Sequence, residues 1–107
     1  MKIEAITKKA EALYNSINKA IEDEELKTWE IVKNSDKEIL YSHSPAQWSE
    51  KAMLKPKIED DKLTFTIKWW KSNDEPGDDV KGYITGRFTE VLLVHFKKHF
   101  THLNTFA

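Results

Sequence analysis

Apolar residues in the first quarter of the chain recur at intervals of three and four. Ile3, Ile6, Ala10, Leu13, Ile17 and Ile21 fall on one stripe of an α-helix, and this spacing predicts an amphipathic helix from Lys2 to about Glu24. From Lys27 the period changes to two. "KTWEIVK" alternates Trp29 and Ile31 with Thr28, Glu30 and Val32, and "NSDKE" supplies turn residues. A second strand, "EILYSHS", sets Ile39, Tyr41 and His43 on one face against Leu40, Ser42 and Ser44. In "SPAQ", Ser44 can cap, Pro45 open and Gln47 complete the capping box of one helical turn over Pro45 to Glu50, with a plain loop as the alternative. "KAMLKPKIEDDKLTFTIKWW" reads as a hairpin turning at Glu59 to Lys62, with Ala52, Leu54 and Ile58 alternating on one arm and Leu63, Phe65, Ile67 and Trp69 on the other. Pro56 has no amide donor, which places the first arm at an edge or a bulge. "VKGYI" reads as a last short strand. "GRFTEVLLVHFKKHFTHL" then predicts a C-terminal helix from about Gly86, because Phe88, Leu92, Phe96 and Phe100 recur every four residues beside Val91 and Leu103.

The order helix, four or five strands, helix, with connections short enough for hairpins, predicts an α+β fold of one domain spanning residues 1–107. Its sheet is mainly antiparallel and both helices cover one face. Alternation along "LTFTIKWW" assigns Trp69 to the core and Trp70 to the outside.

Charge placement adds more than net charge, which is −1. Of the 18 acidic residues, 11 fall in three clusters: Glu22, Asp23, Glu24 and Glu25; Glu59, Asp60 and Asp61; and Asp74, Glu75, Asp78 and Asp79. Each cluster alone is explained by solvated loops and helix ends; three together suggest a shared role. "EDEE" also breaks a local rule, since the negative end of a helix dipole favours cations. The chain has no cysteine, so disulfides, thiolate metal sites and a cysteine nucleophile are excluded. No stretch approaches the roughly 18 apolar residues of a membrane span, and the N-terminus lacks an apolar signal region, so the expectation is a cytoplasmic protein without membrane association.

Candidate chemistry is sparse. His95, His99 and His102 stand at i, i+4 and i+7, a spacing that can hold zinc, but His99 falls within the apolar sector of the expected helix and packing accounts for the stripe without metal. His43, flanked by Ser42 and Ser44, lacks a nucleophile elbow, and Gly77, Gly82 and Gly86 make no phosphate-binding loop. Trp29, Trp48, Trp70, Tyr41 and Tyr83 can stack bases, and Lys68 and Lys71 bracket the tryptophan pair. The acidic loop downstream repels phosphate, so direct nucleic-acid binding is not expected. The expectation is a protein that is not an enzyme and carries no catalytic residue, metal or cofactor.

"TWEIV", "YSHSPAQW", "KLTFTIKWW" and "YITGRFTEVLLVHF", with the chain length and element order, resemble the immunity proteins of bacterial contact-dependent growth inhibition systems (CdiI type). The resemblance implies a cytoplasmic antitoxin that covers the active site of a cognate CdiA C-terminal toxin domain, often a nuclease such as an RNase or tRNase. Acidic clusters speed association with a phosphate-binding, basic partner, and a desolvated aromatic anchors it. That reasoning nominates Trp70, Asp74, Glu75, Asp78, Asp79, Glu59, Asp60 and Asp61 as partner-binding residues of a monomer or weak homodimer. The alternative is a small regulatory interaction module, homodimeric through an exposed strand edge.

Overall fold

The computed structural model describes residues 1–107. The chain runs β1 (Lys2–Ile6), α1 (Ala10–Glu22), β2 (Trp29–Lys33), β3 (Ile39–His43), β4 (Met53–Ile58), β5 (Lys62–Lys68), α2 (Asp78–His95), a 3-10 turn (Lys97–His99) and β6 (His102–Phe106). The strands form one sheet in the order β2-β3-β4-β5-β1-β6, and every neighbouring pair is antiparallel. The α+β class expected from the sequence is the one found, with six strands rather than four or five. No helix is long and apolar enough to cross a membrane.

Three segments differ from expectation. "KIEAI" satisfies both a helical and a strand pattern, and it forms a strand because β5 and β6 pair with it on both sides over all five residues. Ladder bonds on two edges outweigh the weak helix preference of so short a stretch. Thr7 then breaks the strand, its hydroxyl accepting from the Lys9 amide at 3.0 Å and its own amide donating to the Asp61 carbonyl at 3.0 Å. "VKGYI" is the start of α2, not a strand: Asp78 and Asp79 occupy the first turn, where negative charge suits the helix dipole, and Gly82 and Gly86 disguise the helix as loop. At the other end α2 stops at His95 and the last residues return as β6 against β1, so Phe100 and Leu103 pack from a turn and a strand. Between β3 and β4, the Pro45 carbonyl accepts from the amides of Trp48 at 2.8 Å and Ser49 at 2.9 Å, a hydrogen-bonded turn without a full helix.

Both helices lie on one face. Ala10, Leu13, Ile17, Ala20 and Ile21 of α1 and Ile84, Phe88 and Leu92 of α2 join Ile3, Ala5, Trp29, Tyr41, Leu54, Leu63, Phe65 and Ile67 of the sheet in a single cluster. Phe88 is its hub: Trp29 meets it edge-on at 5.0 Å, Tyr41 stacks on it at 5.5 Å and Phe65 tilts against it at 5.0 Å. Tyr41 also ties α1 to β3, its hydroxyl donating to Asn18 Oδ1 at 2.6 Å. Burial first, and the nearby Tyr14 second, push the Tyr41 phenol far above its usual range, so it stays a donor.

The opposite face is lysine-rich. Cross-strand register places Lys2, Lys55, Lys57, Lys62 and Lys68 there with Thr64 and Thr66, around one buried carboxylate, Glu4. Burial disfavours the Glu4 charge, but hydrogen bonds from Lys62 and Asn104 and the charges of Lys62 and Lys2 outweigh it and hold the carboxyl below its usual range.

His43 is the unsettled polar group of the core. It is 2% exposed, its ring lies 4.8 Å from Trp29 and 5.8 Å from Tyr83, and Nδ1 has no hydrogen-bond partner. Burial lowers its pKa, the Thr28 carbonyl opposes this, and the Arg87 charge lowers it further. The unfolded chain, with His43 near 6.5, therefore takes up the proton first. The stability this neutral ring contributes is complete above that pH and drains as pH falls below it. Urea unfolding of wild type is expected to weaken between about pH 7 and 5.5, a window above ordinary carboxylate titration, and His43→Gln to flatten that slope. Phe88→Ala is expected to cost about 3–5 kcal/mol in the same assay, because three rings lose their common neighbour.

Candidate functional site

The nominated acidic residues do not share one surface. Glu59, Asp60 and Asp61 turn the β4–β5 hairpin, while Trp70 to Asp79 follow the other end of β5. The seven residues of β5 lie between them, about 20 Å at roughly 3.3 Å per residue. Several of these acids already have work within the fold. Glu59 Oε2 accepts from Thr64 Oγ1 at 2.6 Å, Glu75 pairs with Lys81, and Asp78 and Asp79 sit at the positive end of α2. Asp60 and Asp74 are exposed and free of ion pairs.

Both tryptophans of the pair are half-buried. Trp69 packs at the margin of the core with Lys81 Nζ 5.1 Å from its ring centre. Strand β5 ends at Lys68, so strict alternation lapses one residue too early to bury Trp69 fully. Trp70 donates its indole N–H to Glu50 Oε1 at 2.8 Å and divides two clefts of opposite charge. One, of about 540 Å³, includes Glu50, Lys51, Asp74 and Pro76; the other, of about 520 Å³, includes Leu40, Lys55, Lys68 and Lys71. The Trp70 ring thus meets cations as readily as anions.

The histidines also separate. His95 ends α2, His99 lies in the 3-10 turn and His102 opens β6, and all three are exposed. His99 therefore does not pack in an apolar helix sector, because the helix has ended before it. His43 faces Trp29 and Tyr83 inside the core and is not paired with a serine or carboxylate.

The more coherent surface is the corner where α1 runs into β2. A cleft of about 720 Å³ there is lined by the apolar Ile21, Leu26, Trp29 and Ile31 and by Glu22, Glu24, Lys27 and Ser44; Glu30 also borders it, but its side chain alternates to the other face of β2, where the carboxylate accepts from Ser49 Oγ at 2.9 Å. Strand β2 is an edge of the sheet, so its outer backbone groups border the cleft without a neighbouring strand. Of the "EDEE" acids only Asp23 is in an ion pair, with Lys19 Nζ at 2.8 Å. The negative field is visible in Lys19, whose pKa is raised first by the hydrogen bond to Asp23, next by the Asp23 charge, and further by Glu25 and Glu22. Sequence reading flagged the "EDEE" run but missed its partners Glu30, Trp29 and Ile31, because only the α1–β2 crossing brings them beside it.

Backbone geometry sharpens the point. The Glu25 amide donates to the Ala20 carbonyl at 2.8 Å and the Glu24 amide to the Ile21 carbonyl at 3.1 Å, the two bonds of a Schellman helix end. In that motif the residue after the cap adopts a left-handed conformation and is usually glycine; here it is Glu24, at φ 60°. An acid thus occupies a glycine position at the negative end of a helix, and it lines this cleft. Glu24→Gly is expected to raise the unfolding free energy by about 1 kcal/mol, measured by denaturant titration, since it relieves both the strain and the dipole mismatch. Against this geometry, comparison with known proteins finds no match: no family model, no curated protein and no solved structure is significantly similar to the chain.

Proposed function

We propose that this chain is an immunity protein: a cytoplasmic, non-enzymatic antitoxin that binds a cognate CdiA C-terminal toxin domain and neutralises it by covering a basic active-site surface. The observation that carries the reading is the convergence of local costs on one cleft. Glu24 in a left-handed conformation, the unpaired Glu22 and Glu24 at the end of α1, and the exposed edge of β2 each disfavour the isolated fold, and all border the same apolar floor. A basic protein surface relieves all of them together. The acids accelerate its approach, and the half-buried Ile31 offers it an apolar seat beside charge. A nuclease fits because it must present cations to phosphate. The resemblance of "TWEIV", which forms this edge, to CdiI-type immunity proteins points the same way.

Trp70, Asp74, Asp78 and Asp79 form the second candidate contact, weaker because lysines flank Trp70 and α2 already uses two of the acids. The test is kinetic. With the toxin domain encoded directly upstream, Glu22, Glu24 and Glu30 all changed to Gln are expected to slow association at low salt by about tenfold and to flatten its salt dependence. Asp74, Asp78 and Asp79 changed to Asn are expected to slow it less than about threefold. Reversed sensitivities move the interface to the Trp70 loop. Failure of the wild-type chain to bind that domain, or to rescue cells expressing it, rejects the immunity reading.

A further inference from the structure

Helix α2 carries two features that the single chain does not explain. Gly82 and Gly86 stand one turn apart inside an 18-residue helix, on its exposed side. A Cβ at Gly86 meets nothing within 4 Å, a Cβ at Gly82 meets only the Met1 Cε at 3.9 Å, and neither glycine has a positive φ. Neither packing nor backbone conformation asks for glycine, the least helix-favouring residue after proline. The second feature is Leu93 and Val94, which are 51% and 65% exposed near the end of the same helix. At about 100° per residue, Gly82, Gly86, Leu93, Asp79 and Glu90 share an arc of roughly 80° on the side away from Ile84, Phe88 and Leu92.

We infer that this face is a self-complementary docking surface, and that its occupant is the α2 helix of a second copy, packed antiparallel. The charges select that orientation. The start of α2 bears Asp78 and Asp79, and the region just past its end bears Lys97 and Lys98. A two-fold axis near the middle of the helix sets Asp79 opposite Lys97 of the other copy at both ends, whereas a parallel pair sets like charges together. The same register puts Leu93 beside the hollow between Gly82 and Gly86, with Val94 at the rim. Those glycines then have a purpose, which is to let the backbones approach. Glu90, 3.5 Å from Arg87 within one chain, reaches the Arg87 of the other. Every contact is repeated by the symmetry, as a closed dimer requires. One helix face of about 27 Å, at about 1.5 Å per residue, makes a small interface, so the association is reversible and concentration-dependent. It does not depend on the immunity reading.

Sedimentation velocity of the purified chain from micromolar to millimolar concentration tests this directly. The 12.5 kDa species is expected to give way to one of twice that mass as concentration rises. Gly86→Leu and Leu93→Glu are each expected to weaken association by at least about tenfold while leaving helical circular dichroism in place, with the unfolding midpoint of Gly86→Leu at or above that of the wild type. Asp79→Lys is expected to weaken it, and Lys97→Asp in the same chain to restore it. A chain that stays at 12.5 kDa throughout, or dimers indifferent to both Gly86→Leu and Leu93→Glu, overturn the proposal. Failure of the charge exchange to restore association overturns the antiparallel arrangement.

Discussion

The structure depends on the contact of Phe88 with three strands at once. Trp29, Tyr41 and Phe65 come from β2, β3 and β5, and all three rings meet that one side chain of α2. A two-layer fold of this size has few large side chains with which to hold helix to sheet, and aromatic clusters supply much buried area per residue. Because Trp29 belongs to the cluster, its indole is fixed where β2 begins, and so is the edge that follows it. The cleft at the α1–β2 corner is therefore built on the most strongly held part of the core and not on a free loop.

The molecule also separates its charges. Lysines project from the uncovered sheet face, while Glu22 and Glu24 stand without ion pairs at the end of α1. A net charge of −1 hides this division. Recognition of a basic partner then needs no excess of acid in the whole chain, only an acidic corner turned towards it, with the lysine face turned away.

Strands β2 to β5 were legible in the sequence because apolar and polar residues alternate along them, even in β3, where Leu40 to His43 are all buried. Helix α1 was legible for the same reason at the helical period. Strand β1 was not, since Ile3 and Ile6 extend the α1 stripe by coincidence and only pairing with β5 and β6 decides the matter. The start of α2 was masked by Gly82 and Gly86, residues whose reason lies outside the chain's own packing. The site was half legible. The "EDEE" run announced itself by opposing the helix dipole, but its neighbours Glu30 and Ile31 lie on another element, and no local pattern foretells that crossing. Trp70 and the loop acids stood out in sequence, yet Glu75 and Asp78 serve ion pairing and helix initiation in the fold.

The central claim is that the α1–β2 corner is the recognition surface, and a hydrogen-exchange footprint on the full chain tests it most directly. Bound to the toxin domain proposed as its partner, residues 21–31 are predicted to gain protection in their amides, most of all along the free edge of β2. Unchanged exchange in that segment, with protection confined to residues 70–79 or to the lysine-bearing strands, would contradict the account.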